Sequence, residues 1–247
     1  MLKRFQMVVA TILCLVATPT VAQKERDSYQ PVEPIVVDGL TDEWKTDWWL
    51  DQDGKFLFNI ANDAENIYWR IKISDDLTQQ KIALYGLFVK FDGKGKKRSK
   101  LGIKYPVGKD PVELKKAPEP LPQDLAGRTQ AKKLLLTDVE VLELLGLSKE
   151  PIVSSRLGLM NGIEVMMVIT DDGSYVYEAK IPLKAYKLKK EDVELLGFTV
   201  ETGKLDLSKN GPANPNAQTA RSFGQTNYGM YHPLSSPAYM WVAIKLH

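Results

Sequence analysis

Between Ile67 and Ser74 apolar and polar side chains alternate residue by residue. Ile67, Trp69, Ile71 and Ile73 fall on one side, and Tyr68, Arg70 and Lys72 on the other. A repeat of two belongs to an extended strand; an α-helix cannot gather that pattern into one buried stripe. Similar signals recur along the chain. Phe56-Leu57-Phe58-Asn59-Ile60 stops at the turn residues Asn62-Asp63, and Ile82 to Phe91, apolar nearly throughout, reads as a central strand ending at Asp92-Gly93. Glu164 to Thr170 and Ser174 to Leu183 flank Asp171-Asp172-Gly173, a hairpin signal, and Leu195 to Thr202 and Tyr239 to Leu246 read as two more strands. Short strands punctuated by Asp, Asn and Gly predict an all-β fold, a sandwich of antiparallel sheets.

Three stretches depart from this rule. Residues 24–34 are polar with two prolines and read as an extended lead-in. Asp206 to Pro237 is a long loop rich in Gly, Asn, Gln, Ser and Tyr, the kind that in a compact domain is functional or mobile. Residues 93–158 read as a short helical, basic insertion. Pro106 to Pro122 holds five prolines and is unsuited to regular structure. A helix is predicted over Asp138 to Leu145, where Thr137 and Glu140 have capping-box spacing, Val139, Leu142 and Leu145 recur at helical intervals, and Gly146 can end the helix. No internal repeat or linker divides residues 23–247, which read as a single domain.

The first 22 residues have the three-part layout of an export signal: Lys3 and Arg4, an apolar run from Met7 to Ala17, and Thr20-Val21-Ala22 before the expected cleavage point. The run is shorter than the ~20 apolar residues of a membrane span. The expectation is a protein delivered to the periplasm or the exterior after cleavage, with no membrane span. This changes the meaning of the composition. The full chain has 33 basic and 31 acidic side chains and one cysteine. Both surplus charges and Cys14 lie in the signal, so the remainder is neutral and free of cysteine. Disulfides, thiolate metal sites and cysteine nucleophiles are excluded, and a charge of zero gives no sign of nucleic-acid binding. The neutrality conceals a division, however: residues 23–80 carry 6 basic and 13 acidic side chains, and residues 81–135 carry 14 and 5.

Ile35-Val36-Val37-Asp38-Gly39-Leu40-Thr41-Asp42-Glu43-Trp44, Asn62-Asp63-Ala64-Glu65-Asn66-Ile67-Tyr68, and Tyr177-Glu178-Ala179-Lys180-Ile181-Pro182-Leu183 followed by Gly197-Phe198-Thr199-Val200-Glu201 occur in this order. Together they resemble the scaffold turns and strands of family 9 carbohydrate-binding modules and the related DOMON-like domains. The resemblance covers most of residues 33–203 and the last strand. It implies a jelly-roll-like sandwich, a non-catalytic role, sugar as the usual ligand, structural calcium in many members and haem in some. The insertion between Gly93 and Gly158 departs from a minimal module of that family.

Sugars are held by aromatic rings that stack on their apolar faces and by polar groups that reach their hydroxyls. Trp44 and Trp69 read as core residues, whereas Trp48 and Trp49 are adjacent, so one should point outward. The ligand candidates are Tyr68, Arg70 and Lys72 on the outward side of their strand, joined by Arg221, Tyr228, Tyr231 and His232 of the long loop; the alternative is a solvated face beside a surface loop. Asp38, Asp42, Glu43, Asp47, Asp51, Asp53, Asp63 and Glu65 could supply oxygen ligands to calcium, or they cap turns. Met230 and His232 could ligate a non-covalent haem, as the resemblance implies for some members. No His-Glu-x-x-His and no Gly-x-Ser-x-Gly occurs, and the chain is expected not to be an enzyme. The alternatives to a saccharide binder are an envelope structural or interaction domain that has kept the scaffold and lost the ligand, and a non-covalent haem-binding module. The basic insertion suits an anionic partner, or else it neutralises the acidic N-terminal third.

Overall fold

A computed structural model describes residues 25–51, 55–97, 99–109, 122–136, 140–155, 162–205 and 233–247. In chain order its elements are β1 (Glu25–Asp27), β2 (Trp49–Asp51), β3 (Phe56–Asn62), β4 (Asn66–Ile73), α1 (Asp76–Tyr85), β5 (Leu87–Asp92), β6 (Leu101–Lys104), α2 (Leu125–Leu135), β7 (Val141–Leu145), β8 (Ile152–Ser155), β9 (Glu164–Ile169), β10 (Tyr175–Pro182), β11 (Leu196–Thr202) and β12 (Tyr239–Lys245). They form a seven-stranded sheet in the order β1-β12-β11-β5-β6-β7-β8 and a five-stranded sheet in the order β2-β3-β4-β10-β9. All pairings are antiparallel except that of β1 with β12. This is the all-β sandwich that the alternating segments predict.

One core lies between the sheets. Phe56, Phe58, Ile60, Ile67, Trp69, Ile71, Tyr177 and Ile181 of the smaller sheet face Leu87, Val89, Phe91, Ile103, Phe198, Val200, Met240 and Val242 of the larger. Trp69 meets Phe198 edge-on at 5.6 Å between ring centroids, and Tyr105 stacks on Tyr177 at 5.8 Å. Each such fully buried side chain contributes ~1.5–3 kcal/mol relative to exposure. Trp44 and Trp69 are both buried, as expected of core residues. Asn62, at the end of β3, accepts from the Ser28 hydroxyl at 2.6 Å and donates to the His247 carbonyl at 2.7 Å, tying the two flanks of the sheets together.

Three local expectations are corrected. The apolar run from Ile82 to Phe91 is not one strand but the end of α1 followed by β5. The Asp75 carboxylate accepts from the Thr78 N–H at 3.0 Å and starts the helix; Gly86, at φ 87°, ends it. Ile82 therefore reaches the core from a helix and Leu87 from a strand, and the join is invisible in hydropathy alone. Val141 to Leu145, part of the predicted helix, is β7, with Leu142 and Leu144 turned into the core and a ladder to β6. Pairing across the sheet has overridden a local helical spacing; residues 137–139 lie outside the described residues. Finally, the region 93–158 is not only helical. It supplies α2 but also β6, β7 and β8, the whole outer half of the larger sheet.

Candidate functional site

The outward side of β4 is covered. Residues 29–48 cross it as a strap, and Tyr29, Ile35, Trp44, Ala61 and Tyr68 form a second apolar cluster beneath. Arg70 is only 3% exposed. Its guanidinium donates to Asn59 Oδ1 at 2.9 Å and to the carbonyls of Thr46 at 2.6 Å and Thr41 at 3.4 Å. It also lies 4.0 Å from the Trp48 ring centroid and 5.1 Å from that of Trp44. Beside Arg70 in the ladder, the fully buried Glu178 accepts from the Gly39 N–H at 2.9 Å and from Trp44 Nε1 at 3.0 Å. Burial lowers the Arg70 pKa to about 10, against the fields of Glu178, Glu43 and Asp47, and raises that of Glu178 to about 7, against the Gly39 hydrogen bond.

These facts correct the expectation of an open polar face on β4. Tyr68 is buried and donates to Asp63 Oδ2 at 2.7 Å; Arg70 fastens the strap; Lys72 pairs with Asp172 at 2.8 Å across the adjoining hairpin. Two of the candidate acidic residues also have structural tasks. Asp38 accepts from the Leu40 N–H, and Asp63 from the N–H groups of Glu65 and Asn66, so these two cap turns. Among the described residues no group of three or more His, Cys, Asp or Glu could hold a metal ion. Arg221, Tyr228, Tyr231 and His232 lie outside the described residues, as does Met230.

Among the described residues the outer face of the larger sheet is open in part, the β5–β6 turn lying over Gly197 and Thr199 of β11. Its strands alternate: Leu87, Val89 and Phe91 of β5 point inward, so Phe88 and Lys90 point out; Met240 and Val242 of β12 point inward, so Tyr239 and Trp241 point out. Register places Tyr239, Glu201, Phe88, Lys104 and Glu143 side by side across five strands, and Trp241, Thr199, Lys90 and Gly102 in the next row. A cleft of about 700 Å³ opens over the first row. Its floor includes Phe88, Lys90, Lys104, Glu143 and Glu201; its walls come from Tyr85 at the end of α1, from Val107 to Lys109, and from Gly203 and Lys204 after β11. That volume lies within the ~300–1,000 Å³ typical of small-ligand sites.

Backbone fit shapes this region. A Cβ on Gly203 would stand 2.2 Å from the Tyr85 carbonyl oxygen, so the chain after β11 lies directly on the end of α1. Gly102, at φ 153°, would place a Cβ 2.2 Å from the Val89 carbonyl oxygen, and it keeps the sheet bare beside Lys90. Within the cleft the Lys90 ammonium pairs with Glu201 at 3.0 Å and lies 4.9 Å from the Phe88 centroid; the Lys104 ammonium lies 5.1 Å from the same ring. Burial lowers the Lys104 pKa, against the field of Glu143, and burial raises that of Tyr85. Beyond the cleft, Lys97 lies 4.9 Å from the Trp241 ring, whose Nε1 has no hydrogen-bond partner among the described residues.

Sequence reasoning missed this face. The signal is present in Leu87-Phe88-Val89-Lys90-Phe91-Asp92, a period of two, but the helical apolar residues just before it blur the strand's start. In Tyr239 to Lys245 the alternation is legible, and what is lacking is any local sign that the outward side adjoins a cleft. A search of known protein families, of characterised proteins and of solved structures finds no match to this chain. The class it belongs to is therefore defined by its own architecture: a two-sheet β-sandwich with one outer face strapped and, among the described residues, a cleft on the other. No helix among the described residues is long and apolar enough to cross a membrane.

Proposed function

We propose that this chain is an exported, non-catalytic saccharide-binding β-sandwich whose ligand lies on the outer face of the seven-stranded sheet. The observation that carries the reading is the cleft of about 700 Å³ in which an aromatic ring, Phe88, lies among ammonium and carboxylate groups on adjacent strands. Rigid strands present those groups at fixed spacing, which suits a sugar with hydroxyls around its rim and apolar C–H faces. Tyr239 and Trp241 extend the aromatic surface along the same face. The sequence resemblance to family 9 carbohydrate-binding modules supports the same class of ligand, although the residues are not those of the β4 face. Export rests on the layout of residues 1–22. Binding rather than hydrolysis is favoured because Glu201, one of the two cleft carboxylates, is held by Lys90.

A glycan array followed by calorimetric titration of the purified protein, with and without calcium, tests the reading. Saccharide binding that is weakened in Phe88→Ala, with the variant still showing a cooperative thermal melt, is the expected result. No binding to any saccharide in either condition overturns it.

A further inference from the structure

The cleft carries a charge imbalance that a neutral sugar leaves unanswered. Lys90, Lys104, Lys109 and Lys204 line it against Glu143 and Glu201. Lys90 is matched by Glu201 at 3.0 Å. Lys104 has Glu143 beside it in the ladder but makes no ion pair among the described residues. Its ammonium and that of Lys90 converge on one ring, 5.1 Å and 4.9 Å from the Phe88 centroid. The ring's negative face attracts each cation by ~0.5–2 kcal/mol, but it does not cancel a charge. Burial disfavours the charged form of Lys104, as expected of an ammonium withdrawn from water without a full counter-charge. Lys109 and Lys204 stand at the walls, so the surplus is spread around the opening.

We propose, resting on the saccharide reading above, that the cleft selects acidic saccharides, with the Lys104 ammonium receiving the carboxylate or sulfate of a sugar ring laid against Phe88 and Tyr85. An ammonium already drawn out of water and fixed by the ring loses little on meeting the anion, and a charge-assisted hydrogen bond in a half-enclosed cleft is stronger than one on the surface. Lys97, in the turn between β5 and β6, lies over Trp241 on the same outer face and adds to the field that draws an anionic chain toward this side.

The test is a calorimetric comparison of a neutral oligoglucan, an oligouronate, a sulfated oligosaccharide and inorganic phosphate, at low and at physiological salt. The variants are Lys104→Gln, Lys109→Gln and, as a control on the other sheet, Lys72→Gln. The expected result is a preference for the acidic oligosaccharides over the neutral one of at least roughly tenfold, equivalent to ~1.4 kcal/mol. That preference should fall with salt, be lost in Lys104→Gln, be reduced in Lys109→Gln and be kept in Lys72→Gln. Melting curves establish that each variant is folded, and Lys109→Gln carries the test if Lys104→Gln is not. Equal binding of neutral and acidic sugars overturns the inference and leaves the saccharide reading standing. Equal loss in Lys72→Gln, or phosphate binding as tight as that of the oligouronate, reduces the effect to general charge attraction and also overturns it. Absence of binding to every saccharide removes both.

Discussion

Arg70→Ala is expected to be among the most damaging single substitutions in this protein. Arg70 is 3% exposed and its guanidinium donates at 2.9 Å to Asn59 Oδ1 and at 2.6 Å to the Thr46 carbonyl, a residue of the strap. A hydrogen bond from a charged donor contributes ~1.5–3 kcal/mol net. The stacked contact 4.0 Å from the Trp48 centroid adds ~1 kcal/mol. Against these stands the desolvation that the arginine suffers on burial, which is regained on removal. Truncating one member of a buried charged set typically costs ~3–5 kcal/mol, because the remaining charge is left without compensation. Here that charge is Glu178, fully buried, with a pKa about 7. It can take up a proton, which caps the penalty, so the lower part of the range applies: ~3–4 kcal/mol near neutral pH.

For a chain of this size that corresponds to a fall in Tm of roughly 6–16 °C. Guanidinium unfolding followed by tryptophan fluorescence measures it, since Trp44 and Trp48 lie in contact with Arg70. Limited proteolysis gives a second readout, because a loosened strap is cut within residues 29–48 while the sheets persist. Arg70→Lys is expected to recover only part of the loss: an ammonium cannot donate as a planar fork to Asn59 and Thr46 while lying flat on Trp48. A loss below about 1 kcal/mol in Arg70→Ala, with proteolysis unchanged, would refute the view that this arginine fastens the strap.

The pH dependence follows from Glu178. Its folded pKa, about 7, stands above the ordinary 4.5, so the folded state holds the proton more tightly. Its contribution is present below about pH 4.5 and is lost as pH rises through 7, by ~3 kcal/mol in all; the stability of the wild type relative to Glu178→Gln, measured by denaturant melts from pH 4 to 8, should fall across that window. Asp75→Ala removes the cap of α1, where Asp75 accepts from the Thr78 N–H at 3.0 Å and its hydroxyl at 2.7 Å, and is expected to cost ~1–2 kcal/mol in the same assay, with Asp75→Asn recovering most of it. Gly102→Ala drives a methyl to 2.2 Å from the Val89 carbonyl oxygen and is expected to cost ~2–3 kcal/mol, visible as a lower denaturation midpoint. Lys72→Ala breaks only the partly exposed pair with Asp172, so a change below ~1 kcal/mol is expected in a thermal melt.

The buried side of the fold was legible and the covered side was not. Strict alternation at Ile67 to Ile73 announced both a strand and the half of it that faces the core, because burial between two sheets selects every second residue. The hairpin at Asp171-Asp172-Gly173 was equally local: Asp172 accepts from Ser174 N–H and Gly173 takes the positive φ. The fate of Tyr68 and Arg70 depends instead on a strap more than twenty residues away in the chain, and that of Lys72 on the hairpin carrying Asp172. Polar side chains opposite a core stripe usually meet water, and nothing near Arg70 announced that Thr41, Trp44, Thr46 and Trp48 would close over it. The β7 segment failed for the opposite reason. Its own spacing favoured a helix, and only pairing with β6 made it a strand.

The division of charge along the sequence becomes a division between the two outer faces. The acidic Asp38, Glu43 and Asp47 belong to the strap over the smaller sheet, where Glu43 and Asp47 support the charge of Arg70. The lysines of the β5–β6 turn and of the cleft belong to the larger sheet. Neutralisation between the two regions occurs through α2, where Arg128 and Lys132 pair with Asp76 at 3.3 Å and 2.7 Å. Lys104, by contrast, finds no such partner among the described residues. At physiological salt, charges further apart than ~8 Å are largely screened from each other, so a net charge of zero does not silence either face. An approaching anion responds to the lysines nearest it and is little affected by the acidic strap beyond the core. The neutral total is thus compatible with a cleft lined by four lysines against two glutamates, and local charge rather than net charge sets the field that an approaching molecule meets there.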